Sequence, residues 1–172
     1  MPAPEDRREY TALETRASFL LSQLGLQSAQ RFTAALAPLG ITPNRFGVLA
    51  QLARQEGRTQ QELATALGLH RNSMVGLIDD LESRGLVERR RHPDDRRAYA
   101  IHLTPAARDV LAEGDRIADD LEETMLGALS AEERAGLVAT LTRLVAAAGY
   151  TAGVHPGLSE GHRAGIVPPA PH

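Results

Sequence analysis

Apolar residues recur at helical spacing along most of this chain, and nearly every recurrence opens on a capping signal. Thr11-Ala-Leu-Glu14 has capping-box form, and Leu13, Ala17, Leu20, Leu21 and Leu24 follow it. The pattern predicts a first helix running toward Ala37 and stopping near Pro38 and Gly40. Thr42-Pro43 supplies an N-cap and a proline at the first helical position. Phe46, Leu49 and Leu52 then share a face, and Gly57 closes the helix. Thr59-Gln-Gln-Glu62 is a second capping box, opening a short helix with Leu63, Ala66 and Leu67 that Gly68 ends. A further helix begins near His70, with Met74, Leu77, Ile78 and Leu81 as its buried stripe. Gly85-Leu86 gives it a left-handed cap with a hydrophobic follow-on.

The period then changes from that of a helix to that of a strand. Leu86 to Arg91 and Ala98 to Leu103 read as two strands, Tyr99, Ile101 and Leu103 alternating with Ala98, Ala100 and His102. His92-Pro-Asp-Asp-Arg96 between them has turn composition. Thr104-Pro105 starts a long helix (Ala107, Val110, Leu111, Ile117, Leu121, Met125). Ser130-Ala-Glu-Glu133, another capping box, starts a last one with Leu137, Leu141, Leu144 and Val145. Residues 149–172, rich in Gly, Pro and His, read as an irregular tail.

Two short helices joined by a glycine turn and followed at once by a β-hairpin form a winged helix-turn-helix. The expected fold is therefore mainly α with a small β-hairpin. A domain over 10–148 holds a winged helix-turn-helix at 43–103, flanked by helices at 11–38 and 105–148. Those flanking helices are apolar over wider faces than one winged helix can cover. A homodimer with intertwined terminal helices is the economical solution.

Composition narrows the chemistry. The chain has 172 residues, no cysteine and no Trp, so thiol chemistry and Cys-ligated zinc are excluded and the core is aliphatic. No apolar run approaches the ~18 residues of a membrane span, and the charged N-terminus lacks a signal-peptide core, so a cytoplasmic protein is expected. All 19 basic residues are arginine, which fits a codon bias and suits phosphate and guanine recognition equally well.

Charge placement says more than the net of -3. From Arg84 to Arg97, six arginines face three carboxylates, while from Pro105 to Ala148 carboxylates outnumber arginines. The hairpin end suits a polyanion, and the other end does not. No phosphate-cradling glycine loop, HExxH or convincing catalytic spacing of His with Ser, Asp or Glu is present, so no enzyme, cofactor or metal site is expected. His155, Glu160 and His162 could hold a metal only loosely.

At 100° per residue, the buried stripe of the helix after His70 turns Asn72 and Gly76 outward, flanked by Arg71, Ser73 and Val75. Arg71, Asn72 and Ser73 occupy the first turn, the part of a recognition helix that reaches base edges. Arg suits guanine, Asn suits adenine, Val75 can touch a thymine methyl, and Ser73 suits phosphate. Simple capping of the helix start is the alternative for Asn72 and Ser73, and His70 can cap or meet phosphate. Gln60 and Gln61, at the preceding helix start, can offer side chains or backbone N–H groups to phosphate. Arg89, Arg90, Arg91 and Arg96 are phosphate candidates in the hairpin, although strand alternation cannot aim 89 to 91 the same way.

"TQQELATALGLHRNSMVGLIDDLESRGLVERR" and "DDRRAYAIHLTPAARDVL", taken in order, resemble the MarR (multiple antibiotic resistance regulator) family across about Leu13 to Ala148. The family's Asp-x-Arg wing signature, with a strand ending in Leu-Thr, is met by Asp95-Arg96-Arg97 and Leu103-Thr104. The resemblance implies a homodimeric repressor that binds a palindromic DNA operator and is released by a small aromatic or amphipathic effector. It assigns Arg97 to the minor groove, with Asp95 holding its guanidinium. It also puts an effector pocket near Phe19, Gln23 and Phe46, where core packing is the competing role for both Phe. The chain departs from the family at Val75, Gly76 and Asp80, the last standing where Arg or Lys is common. A zinc-responsive regulator of the same fold and a winged-helix protein-interaction module are the alternatives.

Overall fold

In the computed structural model, residues 12–150 other than Asp94 and Arg96, together with 153–155, are described. Six helices and one hairpin follow in order: α1 (Ala17–Leu36), α2 (Pro43–Arg54), α3 (Gln60–Leu67), α4 (Arg71–Ser83), β1 (Val87–Arg91), β2 (Tyr99–Leu103), α5 (Pro105–Leu126) and α6 (Ala131–Ala147).

The capping signals govern most boundaries. Thr42 accepts the backbone N–H of Arg45, and Thr104 that of Ala107, each ahead of a proline in the first turn. Thr59–Glu62 and Ser130–Glu133 both close complete capping boxes. Gly68 (φ 62°) and Gly85 (φ 70°) hold left-handed turns, and Leu86 N–H donates to the Leu81 carbonyl as the helix-ending motif requires.

Each strand starts one residue later than expected, at Val87 and Tyr99, and two helix boundaries differ further. Thr11 lies outside the described residues, and the first helix starts at Ala17, not at Thr11–Glu14. Thr15 Oγ1 donates back to the Ala12 carbonyl, holding Leu13–Thr15 in a 3-10 turn, and the extended Arg16 separates that turn from α1. α2 ends at Arg54, before Gly57, because Gln55 is already extended. The segment beyond it pairs with β2 instead: Gly57 N–H donates to the Ile101 carbonyl, Ile101 N–H to Arg58, and Thr59 bridges Ala100.

That added edge also corrects the expected alternation in β2. Ala100 is buried beside Ile101 and Leu103, while Tyr99 is exposed near the hairpin tip. β1 and β2 are antiparallel, with Val87 opposite Leu103 and Arg91 opposite Tyr99.

The core lies within the winged helix. Val48, Leu49, Leu52, Leu63, Met74, Ile78, Leu81 and Ile101 are fully buried, and Leu36 and Ala107 bring in the ends of α1 and α5. Burying each large aliphatic side chain contributes about 1.5–3 kcal/mol. The flanking helices are different: α1 buries only Leu36, and α6 buries nothing. Leu20, Leu21, Leu24, Val138, Leu144 and Val145 stand exposed. α5 lies against α1 and α2, where buried Gly114 leaves room for the Phe46 ring.

Most of the 149–172 tail lies outside the described residues. Within it, Val154 packs against the core, and Gly153 sits against the Arg54 guanidinium. Among the described residues, no helix is long and apolar enough to cross a membrane.

Candidate nucleic-acid interface

The outward face of α4 is built by its N-cap. His70 Nδ1 accepts the backbone N–H of Asn72 at 3.3 Å, so the imidazole takes the capping role. Arg71, Asn72 and Ser73 are exposed, and their side chains make no hydrogen bond or ion pair among the described residues. Capping therefore uses none of the three. Val75 is half-buried, and nothing lies within 4 Å of a Cβ placed on Gly76, leaving that face open.

At the α3 start, the capping box uses the N–H of Glu62, donated to Thr59 Oγ1 at 3.2 Å. The amides of Gln60 and Gln61 are left in the first turn. Gln61 is exposed on a shallow depression of about 350 Å³, while Gln60 is half-buried, its Nε2 without a partner among the described residues. The hydrogen bond from Thr59 N–H lowers the Glu62 pKa, so a phosphate at this helix end shares it with a carboxylate.

The hairpin arginines divide by partner. Arg89 is turned inward: its guanidinium pairs with Glu82 and Asp79 of α4, and its backbone N–H donates to Glu82 Oε1 at 3.2 Å. With 22% of its side chain exposed, it braces the hairpin on α4 and does not stand free as the phosphate role expected from the sequence would have it. Asp79 and Glu82, at i and i+3, share one face of α4, and the register of β1 decides which hairpin arginine meets them. Arg90 pairs with Glu88 and stays 61% exposed, so it can exchange that partner for phosphate. Arg91 lies 4.9 Å from the centroid of the Tyr99 ring opposite it, a cation–π pair that orients its side chain.

At the tip, Asp95 Oδ1 accepts the backbone N–H of Arg97 at 2.8 Å, and Ala98 N–H donates to the Asp95 carbonyl. Asp95 thus shapes the turn instead of holding the Arg97 guanidinium, because a carboxylate two residues earlier reaches the amide first. The exposed Arg97 side chain has no ion-pair partner among the described residues. Arg96 and Asp94 lie outside them.

Acidic groups on α4 would oppose a polyanion, and each meets an arginine. Asp79 and Glu82 are met by Arg89, and Asp80 by Arg45 and Arg84. The hydrogen bond from Arg84, then that from Arg45, lowers the Asp80 pKa against the opposing effect of burial. With those carboxylates paired, Arg71 of α4 and Arg97 of the hairpin keep charges that no ion pair among the described residues offsets.

The three effector-pocket candidates are not brought together. Phe46 meets Phe32 edge to face at 5.7 Å and packs against Gly114. Phe19 is half-buried and Gln23 exposed on the uncovered part of α1. Phe19 precedes Phe32 by thirteen residues, about 20 Å along a helix. Sequence reasoning missed Phe32 and Gly114; a lone glycine inside a helical pattern was the available sign of close packing. Of the loose metal-ligand set, only His155 is described.

Comparison with known proteins relates the chain and its fold to transcriptional regulators. A family model described as the MarR family matches residues 39–98. A transcriptional regulatory protein for the hcr operon of Thauera aromatica is 35% identical over 105 residues, spanning 61% of this chain and 63% of that protein. The repressor CouR bound to a 23-mer DNA duplex is 34% identical, with a TM-score of 0.68 over 77% of this chain and 94% of that one. CouR from Rhodococcus jostii RHA1 bound to p-coumaroyl-CoA is 30% identical, with a TM-score of 0.66 over 78% and 94%. A MarR-family transcriptional regulator from Rhodococcus sp. RHA1 is 30% identical, with a TM-score of 0.65 over 78% and 95%.

Proposed function

This chain belongs to the MarR family, and from that premise we propose that it is a homodimeric repressor of transcription, not an enzyme. It binds a palindromic DNA operator in the cytoplasm and releases it when a small aromatic or amphipathic molecule binds. The observation that carries the reading is the open first turn of α4. Among the described residues, the side chains of Arg71, Asn72 and Ser73 are exposed and unpartnered, and so is that of Arg97 in the hairpin packed on the same helix. Such groups suit bases and phosphates in adjoining grooves.

The exposed leucines of α1 and the bare face of α6 support a second copy as the dimer partner, since a patch of that kind is rarely left to solvent. CouR with p-coumaroyl-CoA supports an aromatic acyl thioester as the first effector to try. Selection of duplexes from a random library by the full-length protein tests the proposal. A recovered palindrome, bound by a dimer in light scattering and released by p-coumaroyl-CoA, is the expected outcome. Enrichment of no palindrome would overturn DNA recognition; failure of release alone would overturn only that effector.

A further inference from the structure

Asp80 joins three parts of the fold. Its Oδ2 accepts from Arg45 Nε of α2 at 2.5 Å and from Arg84 Nε, at the end of α4, at 2.8 Å. Arg84 Nη1 then donates to the carbonyl oxygen of Gly40 at 2.9 Å. Gly40, at φ 66°, is the one residue between α1 and α2 with a positive φ, the point where α1 turns into the winged helix. Leu36 and Ile41 on either side are buried and α5 packs along α1, but packing of this kind prefers crossing angles only to within about 15–20°. Among the described residues, the hydrogen bond that ties this joint to the end of α4 is the one from Arg84.

We propose that Asp80 is a positioning residue: through Arg45, Arg84 and the Gly40 carbonyl, it fixes the angle between α4 and the dimer-forming helix α1. It thereby sets the half-site spacing that the dimer accepts. The inference rests on the proposed operator-binding dimer. α1 has 20 residues, about 30 Å. A tilt of about 6° at Gly40 moves its far end by about 3 Å, close to the ~3.4 Å rise of one base pair. The pairs are only partly buried, so their contribution to stability is modest, and the directional bond they place on Gly40 is geometric.

The test uses the full-length protein and the selected operator, with one base pair inserted or removed between half-sites, and a duplex carrying a single half-site. The wild type is expected to prefer its own spacing at least tenfold. Asp80→Asn and Arg84→Gln should each reduce that preference at least threefold, while half-site affinity stays within twofold. The two substitutions change net charge in opposite directions, so a shared loss of spacing preference is not an electrostatic effect on DNA. Arg84→Gln also leaves the Arg45–Asp80 pair in place should Asp80→Asn unfold. Unchanged preference in a folded variant overturns the positioning role, as does loss of affinity in equal measure on every duplex. A wild type with no spacing preference overturns the operator-binding dimer itself.

Discussion

Arg89 of β1 grips Glu82 of α4 twice, once through its guanidinium and once through its backbone N–H. These bonds tie the hairpin directly to α4. Arg89→Ala should weaken operator binding at least tenfold by freeing the hairpin and uncovering Asp79 and Glu82 near DNA. A phosphate ligand would leave a different trace, because each lost phosphate contact lowers the salt slope by about one. The slope of log K against log[salt] should instead stay within error of wild type in gel-shift titrations. A slope reduced by about two per dimer would return Arg89 to the phosphate ligands.

Arg97 is the opposite case, a hairpin arginine whose side chain has no ion-pair partner among the described residues. Arg97→Ala should reduce operator affinity at least tenfold while light scattering and circular dichroism report a folded dimer. Asp95→Asn should do less, since its carboxylate serves the backbone amide and an amide oxygen can accept the same bond. Equal losses in both variants would show that Asp95 acts on the guanidinium in the DNA complex. With four to six phosphates neutralised per dimer, the wild-type slope should be about -4 to -5.

The split between these two arginines shows where sequence was informative. Capping residues act locally, so Thr42, Thr59, Thr104 and Ser130 each fix a helix start that can be read from neighbours within four residues. The aliphatic stripe of α4 was equally legible, since period alone decides which face is buried. Ion pairs between elements were not: Arg89, Arg90 and Arg91 look alike in sequence, and only the register of β1 against α4 separates them. The third strand-like edge at Gly57–Thr59 was hidden for the same reason, as its partners Ala100 and Ile101 are about forty residues away.

Gly114 and Phe46 provide a test of packing between α5 and the winged helix. A methyl group on Gly114 would overlap the Phe46 ring. Gly114→Ala improves helix propensity by about 1 kcal/mol, yet overpacking opposes it by about 1–3 kcal/mol or more. Net destabilisation is expected, seen as a lower Tm in calorimetry. Phe46→Leu in the Gly114→Ala background should recover part of the loss, because contacting residues are not additive. Independent, additive effects would mean that the ring sits elsewhere.

Acid stability depends on carboxylates that are held ionised in the folded state. The pKa of Asp80 is lowered first by the hydrogen bond from Arg84, that of Glu62 by the backbone N–H of Thr59, and that of Glu133 by the Ser130 hydroxyl. A folded pKa below the unfolded one means that the unfolded chain binds protons first as pH falls. Each group therefore contributes stability above its unfolded pKa, near 4, and loses it progressively as pH drops through the lower folded value. The Tm should be flat from about pH 7 to 5 as far as these groups are concerned, and fall below about pH 4. Asp80→Asn and Glu62→Gln should each lower the Tm near neutrality and flatten the acid limb, so that their curves converge on wild type at low pH. Curves that stay parallel to wild type down to pH 2 would show that neither carboxylate is stabilised by its partners in the folded chain.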